Sequence, residues 1–197
     1  MKRWDVAFRV ALILWLVGPA SESASGPVVV TMKTEAGEIV LEVDSARAPI
    51  TAANFLRYVD AGRYDGGRFH RTVRLDNQPG KSALIEVVQA GVKAELVPSD
   101  YAPIPLERTN KTGLRHTNAA LSMARDGPDT ATSDFFICIG DQPALDFGGK
   151  RNPDGQGFAA FGRVISGMDA VRRIQAAPSD GQVLTPPIQI LSARRRP

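Results

Sequence analysis

The chain has 197 residues, 43 % of them apolar, and a net charge of +3, which is about one domain's length with an ordinary globular composition. A single cysteine, Cys138, excludes an internal disulfide framework and reads as a core residue within a strand. The positive balance falls to +2 without residues 1–25 and includes Arg194-Arg195-Arg196, read as a solvated tail, so charge makes little case for a nucleic-acid partner.

Residues 1–25 read as a secretory signal segment. Lys2, Arg3 and Arg9 give a positive start, Val10–Val17 is a short apolar run, and the following stretch is rich in small residues. The run falls short of the roughly 20 residues a bilayer needs, so an uncleaved anchor is the weaker reading. Cleavage after Ala20, Ala24 or Ser25 fits equally well. The expectation is a periplasmic or secreted protein whose mature part, residues 26–197, is one domain.

A hairpin is predicted from Val28 to Val43, bent at Glu35-Ala36-Gly37. Ile39, Leu41 and Val43 alternate with Glu38, Val40 and Glu42, which predicts one buried and one wet face. A helix over Thr51–Ala61 follows, with Pro49 before it, Thr51 as its cap and Gly62 as its stop. Gly66-Gly67 leads into a strand over Arg68–Val73, and a further strand is predicted over Leu84–Gly91. Residues 92–113 read as a surface excursion.

Two strands, Ala119–Ala124 and Asp134–Gly140, flank a loop of Asp, Gly, Pro and Thr. In the second, alternation puts Asp134, Phe136 and Cys138 on one side and Phe135, Ile137 and Ile139 on the other. Both faces are therefore apolar, as in a barrel wall with a core on one side and a pocket or cover on the other. Then come a strand over Phe158–Val164, a helix over Gly167–Ala177 stopped by Pro178, and a last strand over Pro187–Ala193. Many short strands with two helices predict an all-β barrel with capped ends.

Four stretches also carry a family likeness: NFLRYVDAGRYDGGRFHR, SMARDGPDTATSDFFI, ALDFGG and FAAFGRVISGMDAV. In this order, over about residues 28–193, they resemble the cyclophilin-type peptidyl-prolyl cis–trans isomerases. The resemblance implies a closed eight-stranded antiparallel barrel with two capping α-helices. It also implies an enzyme without cofactor that acts on proline-containing unfolded or extended chains as a monomer. Arg71, last of Phe69-His70-Arg71, matches the catalytic arginine, and His70 is taken as a core or hydrogen-bonding residue. Gln89 matches the glutamine that holds substrate backbone and the arginine, and Phe136 and Leu145 match walls of the proline pocket. Ala124 and Arg125 match the step beside the bound peptide, and Val87 and Asp134 fall at two further contact positions.

The chain also departs from the family pattern. Residues 74–83 are inserted, Glu86-Val87 stand for Phe-Met, Asp134 for Gln, and Ala144 for an aromatic residue. If the insertion shifts the register by one residue, Glu86 turns outward and Leu84, Ile85 or Leu75 fills the pocket floor. A catalytically weak or inactive peptide-binding module on the same fold is the alternative reading. With two separated histidines and one cysteine, no metal-ligand spacing is present, and no nucleophile elbow or phosphate loop appears. Asn152-Pro-Asp-Gly-Gln-Gly reads as a turn, and Asn110-Lys-Thr fits a glycosylation acceptor.

Overall fold

Alternating β-branched and polar residues build the opening hairpin. In the computed structural model, which describes residues 26–96 and 101–197, β1 (Val28–Thr34) and β2 (Gly37–Val43) pair antiparallel with Thr34 opposite Gly37. Gly37 has φ +124°, open to glycine and strained for other residues, so it makes the bend. Val40, expected on the wet face, is buried as well. The signal reading of residues 1–25 lies outside the described residues.

Helix α1 spans Pro49–Asp60 and buries Ala52, Phe55, Leu56 and Val59 along one stripe. Thr51 is not its cap. The helix starts at Ala48 without a side-chain cap, and the Glu107 carboxylate accepts hydrogen bonds from the Ile50 and Thr51 N–H groups at 3.1 and 2.7 Å. A carboxylate brought from a distant loop thus meets the positive end of the helix, which local sequence could not reveal. Gly62, at φ +63°, follows the last turn as expected.

The remaining elements are β3 (Arg68–Val73), β4 (Val87–Gly91), the single turn α2 (Thr109–Thr112), β5 (Ala120–Met123) and β6 (Phe135–Cys138). After them come β7 (Ala159–Ser166), α3 (Met168–Ala176), the two-residue β8 (Ser179–Asp180) and β9 (Val183–Arg195). The order is β1-β2-β7-β5-β6-β4-β3-β9, and β9 returns to pair with β1, closing an eight-stranded antiparallel barrel with β8 outside the ring. The strand predicted over Leu84–Gly91 begins only at Val87, whereas the last strand is much longer than Pro187–Ala193. The reading of Arg194–Arg196 as a tail is corrected: Arg194 pairs with Asp65, Arg195 with Asp60, and Arg195 lies opposite Val30 in the barrel seam. Among the described residues no helix is long and apolar enough to cross a membrane.

Strand alternation splits the apolar residues into two clusters. Leu121, Met123, Val88, Ala90, Phe135 and Ile137 face the barrel interior, where α1 inserts Phe55. The Phe55 ring lies 5.3–5.4 Å from the rings of Tyr64, Phe135 and Phe161. Their neighbours Ala120, Val87, Phe136 and Cys138 form the second cluster with Val73, Ile85 and Leu145 on the opposite face. Replacing Phe55 with Ala leaves a cavity at the centre of the aromatic group. The expected loss is about 3–5 kcal/mol of unfolding free energy, measurable by urea denaturation followed by circular dichroism.

Candidate active site

The second cluster is the apolar side of a cavity of about 980 Å³ on the outer face of the barrel wall, lined in part by Ile85, Val87, Phe136, Leu145 and Phe158. A register shift in β3 brings the polar side. Phe69 is opposite Ala90 and Arg71 opposite Gln89, so His70 is an extra residue in the ladder. Such a bulge lets consecutive side chains leave the usual alternation. Phe69 enters the core, while His70 and Arg71 both line the cavity.

Arg71 is half-buried and held on two sides. Its Nη1 donates to Gln89 Oε1 at 3.0 Å, and its Nε and Nη2 donate to Gln182 Oε1 at 3.0 and 2.6 Å. Three of the five guanidinium N–H groups are thus engaged, and two remain for a ligand. Burial lowers the Arg71 pKa from its ordinary value, yet an arginine stays charged throughout the physiological range.

Both glutamines are oriented by their partners. Arg71 only donates and the Asp134 carboxylate only accepts, so Gln89 must turn its oxygen to Arg71 and its Nε2 to Asp134 Oδ2, at 3.1 Å. Asp134 also lies 3.5 Å from His70 Nε2 and covers Gly91, where an added Cβ would collide with the carboxylate. Gln182 donates its Nε2 to the Asn77 carbonyl at 2.9 Å, so the inserted segment supports the arginine from the other side.

The insertion also sets the pocket floor. The buried Gln78 donates to the Ile85 carbonyl at 2.9 Å and accepts from the Ile85 N–H at 3.2 Å, as a neighbouring strand would. Ile85, Val87 and Gln89 consequently face the cavity. Glu86 faces away, and its carboxylate accepts a hydrogen bond from Gln175 of α3 at 2.9 Å. Of the three floor candidates only Ile85 serves, since Leu75 and Leu84 are exposed.

The other expected residues gather here too. Ala124, Arg125, Asp134, Phe136 and Leu145 all line the cavity. Arg125 offers no free charge: it is bound to both Asp154 carboxylate oxygens and the Gly157 carbonyl, with its guanidinium 5.1 Å from the centre of the Phe158 ring. The Phe136 ring stacks on buried His116 at 6.0 Å and meets the Phe158 ring edge-on at 5.3 Å. Phe158 and Gln182 escaped the sequence reading. An aromatic residue opening a predicted strand was a usable signal for the first, whereas nothing local marks Gln182.

Ser122, His116 and Asp146 form a hydrogen-bonded relay, with His116 Nε2 2.9 Å from Ser122 Oγ and Nδ1 2.7 Å from Asp146 Oδ1. The Asp146 carboxylate accepts, so Nδ1 carries a proton, and in the neutral ring Ser122 donates to Nε2. Ser122 and His116 are buried, so the relay braces the Phe136 wall and presents no nucleophile. Burial, helped by the Asp146 charge, pushes the neighbouring Cys138 thiol far up, which keeps it protonated. Among the described residues no three His, Cys, Asp or Glu side chains gather as a metal set.

Burial pushes the Asp146 carboxyl up, but hydrogen bonds from the His116 ring and backbone N–H outweigh it and hold the group below the usual carboxylate range. A depressed folded-state pKa contributes stability that is full above the unfolded value, about 4, and is lost as pH falls through the folded value. Asp146→Asn is therefore expected to lose about 1–3 kcal/mol at pH 7. The gap to wild type should narrow as pH falls below the unfolded value and on through the folded one, as denaturation curves recorded across pH will show.

Comparison with known proteins agrees with this geometry. The family model "Cyclophilin type peptidyl-prolyl cis-trans isomerase/CLD" matches residues 29–195. The peptidyl-prolyl cis-trans isomerase cyp18 of Streptomyces antibioticus is 39 % identical over 171 residues, covering 84 % of this chain and 96 % of the relative. The peptidyl-prolyl cis-trans isomerase A of Dickeya dadantii is 33 % identical over 199 residues, covering 98 % and 97 %. The crystal structure of a Cryptosporidium parvum cyclophilin-type isomerase superposes with a TM-score of 0.69 at 21 % identity, covering 87 % of this chain and 98 % of the other. A match along nearly the whole barrel, joined to an arginine poised beside an apolar cavity, shows that the chain belongs to the cyclophilin-type peptidyl-prolyl cis–trans isomerases.

Proposed function

We propose that this isomerase works through Arg71, on proline-containing unfolded or extended chains, after export from the cytoplasm. The observation that carries the reading is the Arg71 guanidinium, fixed by Gln89 and Gln182 at the edge of a cavity walled by Val87, Phe136 and Leu145. Rotation about an X–Pro bond is slow because amide resonance sets a barrier of about 18–20 kcal/mol. In the planar ground state the prolyl nitrogen lends its lone pair to the carbonyl and accepts hydrogen bonds poorly. At the twisted transition state that lone pair is localised and accepts well. A fixed cationic donor therefore binds the transition state better than the substrate, while the apolar walls hold the ring in both.

The other assignments follow the same geometry. Phe136, Leu145, Val87 and Ile85 grip the proline ring, and Gln89 orients the arginine. Ala124 offers backbone to the peptide, while Arg125 and Asp134 shape its bed through their own partners. No metal or cofactor enters the step. Export rests on the character of residues 1–25, and a monomer is the expected form.

The test is proline isomerisation measured by NMR exchange on a short peptide. Arg71→Ala is expected to lower kcat/KM by about 10²–10³ with the fold intact, and Arg71→Lys to remain far below wild type because lysine lacks the planar donor array. Equal accelerated rates for wild type and Arg71→Ala would overturn the role of Arg71, and no acceleration in either would favour the peptide-binding alternative. Gln182→Leu removes two of the three bonds that fix Arg71. Its effect should be about tenfold and fall on kcat more than on KM, since the ring is held by other groups.

A further inference from the structure

Four arginines line this cavity: Arg68, Arg71, Arg125 and Arg151. Arg151, on the loop between Leu145 and β7, lines it together with Arg71 and Lys81. Its Nη1 donates to Gln78 Oε1 at 2.7 Å and to the Ala83 carbonyl at 3.0 Å. Both acceptors are neutral. Among the described residues Arg151 has no carboxylate partner, and neither does Arg71. Arg125 differs, because Asp154 neutralises it. Two acids also line the cavity, Asp126 and Asp134; neither is paired with Arg71 or Arg151, and Asp134 is taken up by Gln89 and His70.

Arg71 and Arg151, two half-buried guanidinium groups facing one cavity, are costly with no carboxylate bound to either, because desolvation and mutual repulsion both act against them. The Arg151 pKa carries that signature, lowered first by burial and then by the Arg71 charge. Supporting the loop explains Nη1 alone. The Nε and Nη2 donors make no bond among the described residues, and they form the edge that a carboxylate meets with two parallel hydrogen bonds. We infer that Arg151 selects substrates, favouring peptides with a glutamate or aspartate within two residues of the proline. This rests on the cavity being the proline site proposed above and adds the character of the flanking sequence to it.

The experiment compares blocked peptides, acetylated and amidated so that no terminal carboxylate is present. They are identical except for Glu, Gln or Lys at each position flanking the proline. Isothermal titration gives Kd, and NMR exchange gives kcat/KM, for wild type, Arg151→Gln and Arg151→Lys at low and high salt. Wild type should bind the best-placed Glu peptide about tenfold more tightly than its Gln twin, with the preference shrinking in salt. In Arg151→Gln the Glu-to-Gln ratio should collapse towards one, and Arg151→Lys should restore part of it. A wild-type ratio near one at every position overturns the inference, as does a tenfold ratio that survives Arg151→Gln. If Arg151→Gln does not fold, the wild-type salt dependence and Arg151→Lys still decide. Absence of turnover on any peptide would count against the proposed function, while the Kd ratios would still judge the acidic preference.

Discussion

The site depends on a wall that is apolar on both sides. β4, β5 and β6 send alternate residues to the sealed interior and to the outer cavity, so each must satisfy two packing surfaces at once. Phe135 and Phe136 show the division: one meets the ring of Phe55 in the core, the other forms the cavity wall. A slip of one residue in β6 would exchange them and destroy core and site together. In neighbouring β3 the extra residue at His70 breaks this alternation. It keeps Phe69 inside while allowing Arg71 to stand beside Gln89.

Around the arginine, hydrogen-bond logic replaces packing. A donor-only group and an acceptor-only group bracket Gln89, so its amide has one orientation that satisfies both. Asp134 fits this arrangement because a carboxylate cannot present a competing donor. Glu86, which aligned with an apolar family position, causes no conflict. The alternation that brings Gln89 and Val87 to the cavity sends Glu86 towards α3.

Much of this could be read from the chain. The two faces of the strand around Phe136, the hairpin ends at Thr34 and Gly37, and the helical stripe of α1 all follow from local periodicity. What could not be read came from distant partners. Glu107 binds the start of α1 from a loop, Gln182 reaches Arg71 across 111 positions, and Gln78 stands in for a strand beside Ile85. Glu86 is the instructive case: counting back by twos from Gln89 would have placed it correctly without any register shift. The C-terminal arginines misled because a run of like charge resembles a solvated end. Arg194 and Arg195 instead end β9 and Arg196 follows it, each paired with an acid or a hydroxyl from earlier in the chain.

The seam between β1 and β9 sets a condition on how the molecule comes into being. Val30 finds its neighbour in Arg195, and Thr34 in Ile190. Until those residues arrive, the first strand has one open edge and the cylinder cannot close. Closure therefore waits on segments far apart along the chain, and the half-built sheet must be kept from pairing with other chains in the meantime.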